Sequence, residues 1–148
     1  MDALNLEPAS DDDFRWLLGQ IAATRPLRIA PELAPREVLD IVRQLPANWL
    51  IVAGGEIAGI IGLKTDDGDK VEIGYGVAGS RQGRGYASRA VGALLPVLLA
   101  RKVRVVTAET SVDNFGSQRV LERNEFERTG ERVDDEDGPL YCWRRALA

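Results

Sequence analysis

Residues 79–104 carry six cations, Arg81, Arg84, Arg89, Arg101, Lys102 and Arg104, and no Asp or Glu, in a chain whose formal net charge is −4. An acidic chain with one basic segment points to a local anion site, not to a broad polyanion-binding surface. Within it, Gln82, Gly83, Arg84, Gly85, Tyr86 and Ala87 join an alternating apolar run to a stretch with helical spacing. Glycines at such a junction let the backbone turn sharply and approach a ligand without a Cβ in the way. The free N–H groups that open the following helix add donors and the positive end of its dipole, which together hold a phosphate.

Two phosphate motifs compete for this segment. A P-loop ends in Gly-Lys-Ser/Thr, which the chain lacks. A dinucleotide fingerprint needs a third glycine where Ser88 stands and starts directly at the strand end, whereas here residues 78–82 intervene. Glu109 does lie at about the spacing of a ribose ligand, so a nucleotide-binding domain stays among the alternatives.

The chain has no histidine. Ser-His-Asp and Cys-His catalysis, HExxH metal sites and histidine bases are thereby excluded. Cys142 is the single cysteine, so no intrachain disulfide or thiolate zinc cluster can form, and no metal is expected. Flanked by Leu140, Tyr141 and Trp143, its thiol reads as a packing group. Acid–base work then falls to Glu, Asp, Tyr, Lys or Cys. The acidic clusters at 11–13, 66–69 and 134–137 read as solvated faces and turns.

With 148 residues and 45% hydrophobic composition, the chain is long enough for a single domain over 1–148 that buries roughly 70% of its unfolded surface. The longest apolar stretch, 90–100, is about half a bilayer span and contains Pro96, and no basic-then-apolar leader opens the chain. These features predict a cytoplasmic protein without a membrane or nucleic-acid partner, monomeric or homodimeric.

The elements that position the basic segment follow from spacing. Ser10 caps a helix with Asp11, Asp12 and Asp13 in its first turn and a buried stripe of Phe14, Leu17, Leu18 and Ile21. A second helix begins near Pro35, packs Val38, Leu39, Val42 and Leu45, and stops at Pro46. Between them TRPLRIAPEL has no clear period and reads as a loop bordering the site. Residues 49–53 and 57–63 form a hairpin about Gly54-Gly55. In 71–77, Val71, Ile73, Tyr75 and Val77 share one face, and Glu72, Gly74 and Gly76 the other. A helix from about Gly85 packs Ala87, Val91, Leu94 and Leu98, with Pro96 kinking its last turns. A strand at 103–107, a helix at 115–123, and strands at 126–131 and 140–144 around DDEDG complete the chain. With a strand at the N-terminus, the order gives an α/β domain whose mixed sheet is covered by helices.

The segments VEIGYGVAGSRQGRGYASRAV and DNFGSQRVLERNEF resemble the GCN5-related N-acetyltransferase (GNAT) family, and within it the ribosomal-protein N-terminal acetyltransferase (RimJ/RimL-like) branch. The family's acetyl-CoA loop reads Gln/Arg-x-x-Gly-x-Gly/Ala, which Gln82, Gly85 and Ala87 meet, and the resemblance covers about 51–126. It implies a mostly antiparallel sheet with splayed central strands and about four helices. It also implies acetyl-CoA as cosubstrate, with its pyrophosphate over Gln82, Gly83, Arg84, Gly85, Tyr86 and Ala87. Backbone contacts from Gly76, Val77 and Ala78 would hold the pantetheine arm, and Asn114 would bond that arm or cap its helix.

The implied reaction is direct acetyl transfer to a primary amine, of a small molecule or a protein N-terminus, in a ternary complex. Glu72 matches the strand carboxylate that acts as base in the histone-acetylating members; its bland role is an ion pair with a nearby cation. The usual proton donor, a tyrosine, is replaced by Leu121, and Ser117 is the remaining candidate. Weak acid–base groups favour an α-amine of pKa about 8 over a lysine near 10.4. The alternative is a catalytically silent acetyl-CoA-binding module. At the family's helix-ending glycine the chain has Glu125, with Asn124 beside it able to take the left-handed conformation.

Overall fold

The computed structural model describes residues 3–147. Its elements run β1 (Leu4–Pro8), α1 (Asp11–Leu17), β2 (Arg28–Ile29), α2 (Arg36–Val42), β3 (Ala47–Ala53), β4 (Glu56–Asp66), β5 (Lys70–Val77), α3 (Tyr86–Ala100), β6 (Val105–Ser111), α4 (Phe115–Arg123), β7 (Glu127–Asp134) and β8 (Gly138–Ala146). One sheet takes the strands in the order β1-β3-β4-β5-β6-β8-β7, with β2 against β4. Only β2–β4 and β5–β6 are parallel. This is the α/β architecture with a mixed, mostly antiparallel sheet that the resemblance implies.

The sheet is covered on both faces. Trp49 and Ile51 of β3 point into a core shared with Leu94 and Leu98 of α3 and Leu121 of α4. Leu50 and Val52 point the other way, against Phe14, Leu18 and Leu39 from the α1 and α2 side. Burial on both faces explains why β3 is a continuous apolar run where a half-exposed strand would alternate. Gly54 and Gly55 both have positive φ, 59° and 73°, the backbone that a two-residue hairpin turn needs.

The central strands part. β5 pairs with β6 only at Lys70↔Val105, Val71↔Val106 and Glu72↔Thr107. Beyond Glu72, β5 stays with β4 as far as Val77, and β6 stays with β8 as far as Ser111. The β4–β5 register slips between Leu63 and Thr65, level with Glu72 and Ile73; such a bulge bends and twists its strand pair. The result is a wedge-shaped gap with Glu72 at its vertex.

Ser10 and Asp13 form a reciprocal capping box at the start of α1. The helix is shorter than the apolar stripe predicts. It ends at Leu17, and Gly19 takes φ 76°, which leaves Ile21 outside it. The acidic cluster that opens it is not uniformly solvated either. Asp13 is 1% exposed, with Thr24 Oγ1 donating at 2.6 Å and Arg25 at 3.1 and 2.9 Å. Burial alone would raise its carboxyl, but Arg25, Thr24 and the Ser10 N–H hold it far below the usual carboxylate range. TRPLRIAPEL thus supplies a partly exposed cation to the buried Asp13, and its Arg28–Ile29 pairs with β4. α2 stops at Val42, a turn earlier than expected. α3 continues through Pro96 to Ala100.

At the end of α4 the left-handed residue is Glu125 (φ 63°), while Asn124 has φ −95°. The Asn124 side chain instead donates to Ser88 O at 3.0 Å and Val120 O at 2.9 Å. That role ties α4 to α3 and explains why the left-handed position shifts by one residue.

Candidate active site

A cleft of about 580 Å³ opens along the gap between β5 and α4. Its floor is Tyr75, Gly76 and Val77; one wall is the loop and first turn of α3, from Arg81 to Ser88; the other is α4, from Asn114 to Arg123. The parting of β5 from β6 therefore creates the space, and the two helices that start beside it provide the walls.

Gly83 and Gly85 have φ of 79° and 76°, and a Cβ built on either would meet nothing within 4 Å. Glycine is needed at both for its backbone, not for room. Gly85 is the N-cap of α3 and has no side chain to satisfy the first N–H groups. Over a 15-residue helix, those donors and the dipole make an anion cradle that faces the cleft.

The charged residues around the loop divide into two groups. Arg81 forks onto Glu56 at 2.7 and 3.0 Å, and this hydrogen bonding holds the Glu56 carboxyl below its usual range. Arg81 thus anchors the loop to the sheet. Arg119 and Arg123, spaced four apart on α4, line the opposite wall and are exposed. Neither stands out in the sequence by itself, although their i, i+4 spacing places them on one helix face. Arg84 does not line the cleft.

Backbone direction separates the three residues at the end of β5. Ala78 N–H donates to Ala58 O of β4 at 2.8 Å, and Ala78 O accepts from Arg81 N–H. Alternation turns the polar groups of Gly76 to β4 as well. Those of Tyr75 and Val77 face the open edge, where Gln82 Nε2 lies 3.4 Å from Val77 O. Of the expected contact residues, Val77 thus turns its backbone polar groups to the open edge, while those of Gly76 and Ala78 are directed to β4 and the loop. Gly76 contributes space, since a Cβ there would meet nothing within 4 Å.

Asn114 caps α4, accepting from Ser117 N–H at 3.1 Å, and borders the cleft. Ser117 Oγ lies 2.8 Å from the Tyr75 hydroxyl, so these two groups bridge the gap. Burial pushes the Tyr75 hydroxyl above its ordinary value, and the contact with Ser117 offsets part of that. Glu72, at the vertex, stands 3.5 Å from Lys64 Nζ. That contact is an ion pair but not a hydrogen bond, and the buried Oε2 has no hydrogen-bond partner among the described residues.

The Acetyltransferase (GNAT) domain profile matches residues 3–127. The chain belongs to the GNAT acetyltransferases. No curated protein sequence matches it. Its fold resembles that of RimL, a ribosomal L7/L12 α-N-protein acetyltransferase in complex with coenzyme A, at TM-score 0.75 and 21% identity over 97% of this chain and 94% of that one. The aminoglycoside acetyltransferase AAC(6')-Ib with coenzyme A and kanamycin is similar at TM-score 0.71 and 21% identity, over 97% and 95%. A chimera of the spermidine N-acetyltransferase SpeG from Vibrio cholerae and hSSAT follows at TM-score 0.72 and 14% identity, over 97% and 95%. A protein N-terminus, an aminoglycoside and a polyamine are thus acceptors served by one fold, and the fold does not choose among them.

In this GNAT domain Leu121 is fully buried in the core, so nothing at that position reaches the cleft. Tyr75 brings a phenol to the same gap from β5 while its side chain packs against the core. Cys142 is not a nucleophile candidate: burial and then the Glu109 charge push its thiol up, and its Sγ lies 3.8 Å from Glu109 Oε2. Among the described residues no helix is long and apolar enough to cross a membrane.

Proposed function

We propose that the chain is an acetyl-CoA-dependent N-acetyltransferase acting on a primary amine. The observation that carries this reading is the joining, in one cleft, of the unpaired β5 edge to the left-handed glycine turn at the start of α3. An elongated ligand with a pyrophosphate in its middle and a pantetheine arm fits that pair of features.

Acetyl-CoA supplies the acetyl group, and its thiol leaves as the amine attacks. The N–H groups from Gly83 to Ala87 bind the pyrophosphate, with Arg119 and Arg123 adding charge from the facing wall. Val77 pairs with the pantetheine arm as a neighbouring strand would, and Asn114 keeps the first turn of α4 in place beside it. Donors on the open edge of β5 offset charge that develops on the thioester oxygen. Tyr75, coupled to Ser117, donates a proton toward the departing sulfur. Glu72 accepts a proton from the amine through water, since it borders the gap and lines neither wall.

A second reading, a silent acetyl-CoA-binding module, draws on the buried Leu121 and on Lys64 beside Glu72. Free-thiol release from acetyl-CoA across peptides, amino acids, polyamines and aminoglycosides separates the two. Acceptor-dependent release that Glu72→Gln and Ser117→Ala reduce, with acetyl-CoA binding intact, supports the enzyme. Binding without release from any acceptor supports the module.

A further inference from the structure

A second cavity of about 230 Å³ lies between α2 and the sheet, and Tyr75 and Gly76 line both it and the cofactor cleft. Its wall is Leu33, Val38, Leu39, Ile41, Leu45 and Ile60. Ile41 is 66% exposed and Val38 43%, so two large apolar side chains stand at its mouth without a covering element. A Cβ at Gly76 would meet nothing within 4 Å, which leaves a route from this cavity toward the parted strands, whereas the Lys64 side chain lies over Gly74.

Charge at the cavity separates acceptor classes. Among the described residues, Lys64 is its single charged lining residue and no carboxylate lines it. Glu72, the nearest acid along β5, is paired to that same lysine. Asn48 is its other strongly polar side chain, and the Asn48 amide donates to Val42 O at 2.9 Å, which fixes the end of α2 against β3. A polyamine or an aminoglycoside, each a polycation, would meet a lysine and no compensating charge there. An apolar substituent would lose water on entering.

We propose that the acceptor is a peptide or protein N-terminus whose first residue carries an apolar side chain of leucine or methionine size. That side chain occupies the α2 cavity and sets its α-amine toward the parted strands. This inference rests on the acetyltransferase reading, and it sharpens the acceptor from any primary amine to one class. A single apolar side chain suits this half-open cavity, while the rest of the peptide leaves past Ile41 to solvent.

The test is acceptor-dependent thiol release with tripeptides that differ only in their first residue (Leu, Met, Ser, Asp, Lys), beside spermidine and kanamycin. The Leu and Met peptides are expected to exceed every other acceptor in kcat/KM by roughly tenfold or more. Ile41→Asp, at an exposed position that tolerates polarity, is expected to lower the Leu-peptide kcat/KM by about the same factor while the thermal shift given by acetyl-CoA stays unchanged. Equal or better use of Ser, Lys, spermidine or kanamycin overturns the inference, as does an Ile41→Asp enzyme that handles the Leu peptide normally; either result leaves the acetyltransferase reading standing. Acetyl-CoA binding with no acceptor turned over overturns it in favour of the silent module. Failure of acetyl-CoA to bind at all sinks both.

Discussion

The Tyr75 hydroxyl lies 2.8 Å from Ser117 Oγ, joining β5 to the first turn of α4 across the gap where β5 leaves β6. In the proposed reaction this pair serves the departing thiolate, and the raised pKa of Tyr75 keeps its proton available through neutral pH. Tyr75→Phe and Ser117→Ala should each lower kcat roughly tenfold or more with little change in the KM for acetyl-CoA. The double variant should fall no further than the worse single one, because the two groups act as a unit. An alkaline limb in the wild-type kcat profile that Tyr75→Phe abolishes would separate proton donation from packing. Full additivity with an unchanged profile would refute the relay.

The loop before α3 yields a second expectation. Gly83→Ala and Gly85→Ala meet no steric obstacle, so each should cost about 1 kcal/mol through its backbone alone. Each should also weaken acetyl-CoA, because the N–H groups of the cradle follow that backbone. Calorimetric titration of both variants checks this; unchanged affinity would remove the loop from the binding site.

Local signals were legible before the fold was known. The Ser10 cap, the Gly54-Gly55 turn, the alternation over 71–77 and the glycine turn before α3 each depend on neighbours within a few residues, and each lies where the spacing puts it. What escaped reading depends on distant partners. Asp13 is buried because Arg25 arrives from the following loop, and Tyr75 reaches the site because α4 starts beside it. Arg119 and Arg123 become cleft residues only once α4 faces α3. Backbone direction at Gly76 and Ala78 follows from the β4 register, which the strand's own residues do not encode. Ile21 fits the helical period of α1, but the chain turns at Gly19 before reaching it.

Asp13 and Arg25 predict an acid response. The folded pKa of Asp13 lies below its unfolded value of 3.8. Stability linked to it is therefore complete above that value and is lost as pH falls from about 4 toward the depressed folded pKa. Arg25→Ala should cost roughly 2–3 kcal/mol at pH 7, less than for a fully enclosed pair because Arg25 keeps some exposure. Urea midpoints measured from pH 7 to pH 2 should fall more steeply for the wild type than for Asp13→Asn. Parallel curves would contradict the assignment.

Glu125 offers the opposite change. It holds φ 63° with a mostly exposed side chain that pairs with Arg145 at 3.4 Å. Glu125→Gly should raise stability by about 0.5–1 kcal/mol, since the relief of the left-handed strain exceeds the loss of a surface pair. A lower denaturation midpoint for this variant would show that the ion pair matters more than the backbone.

The central claim, that the β5–α3 cleft holds the pyrophosphate and arm of coenzyme A, is tested most directly by calorimetric titration of acetyl-CoA, with NAD as the competing ligand. Saturable binding of acetyl-CoA at one site per chain, weakened in Gly85→Ala, is expected, with no comparable binding of NAD. Saturable binding of NAD without binding of acetyl-CoA would contradict it.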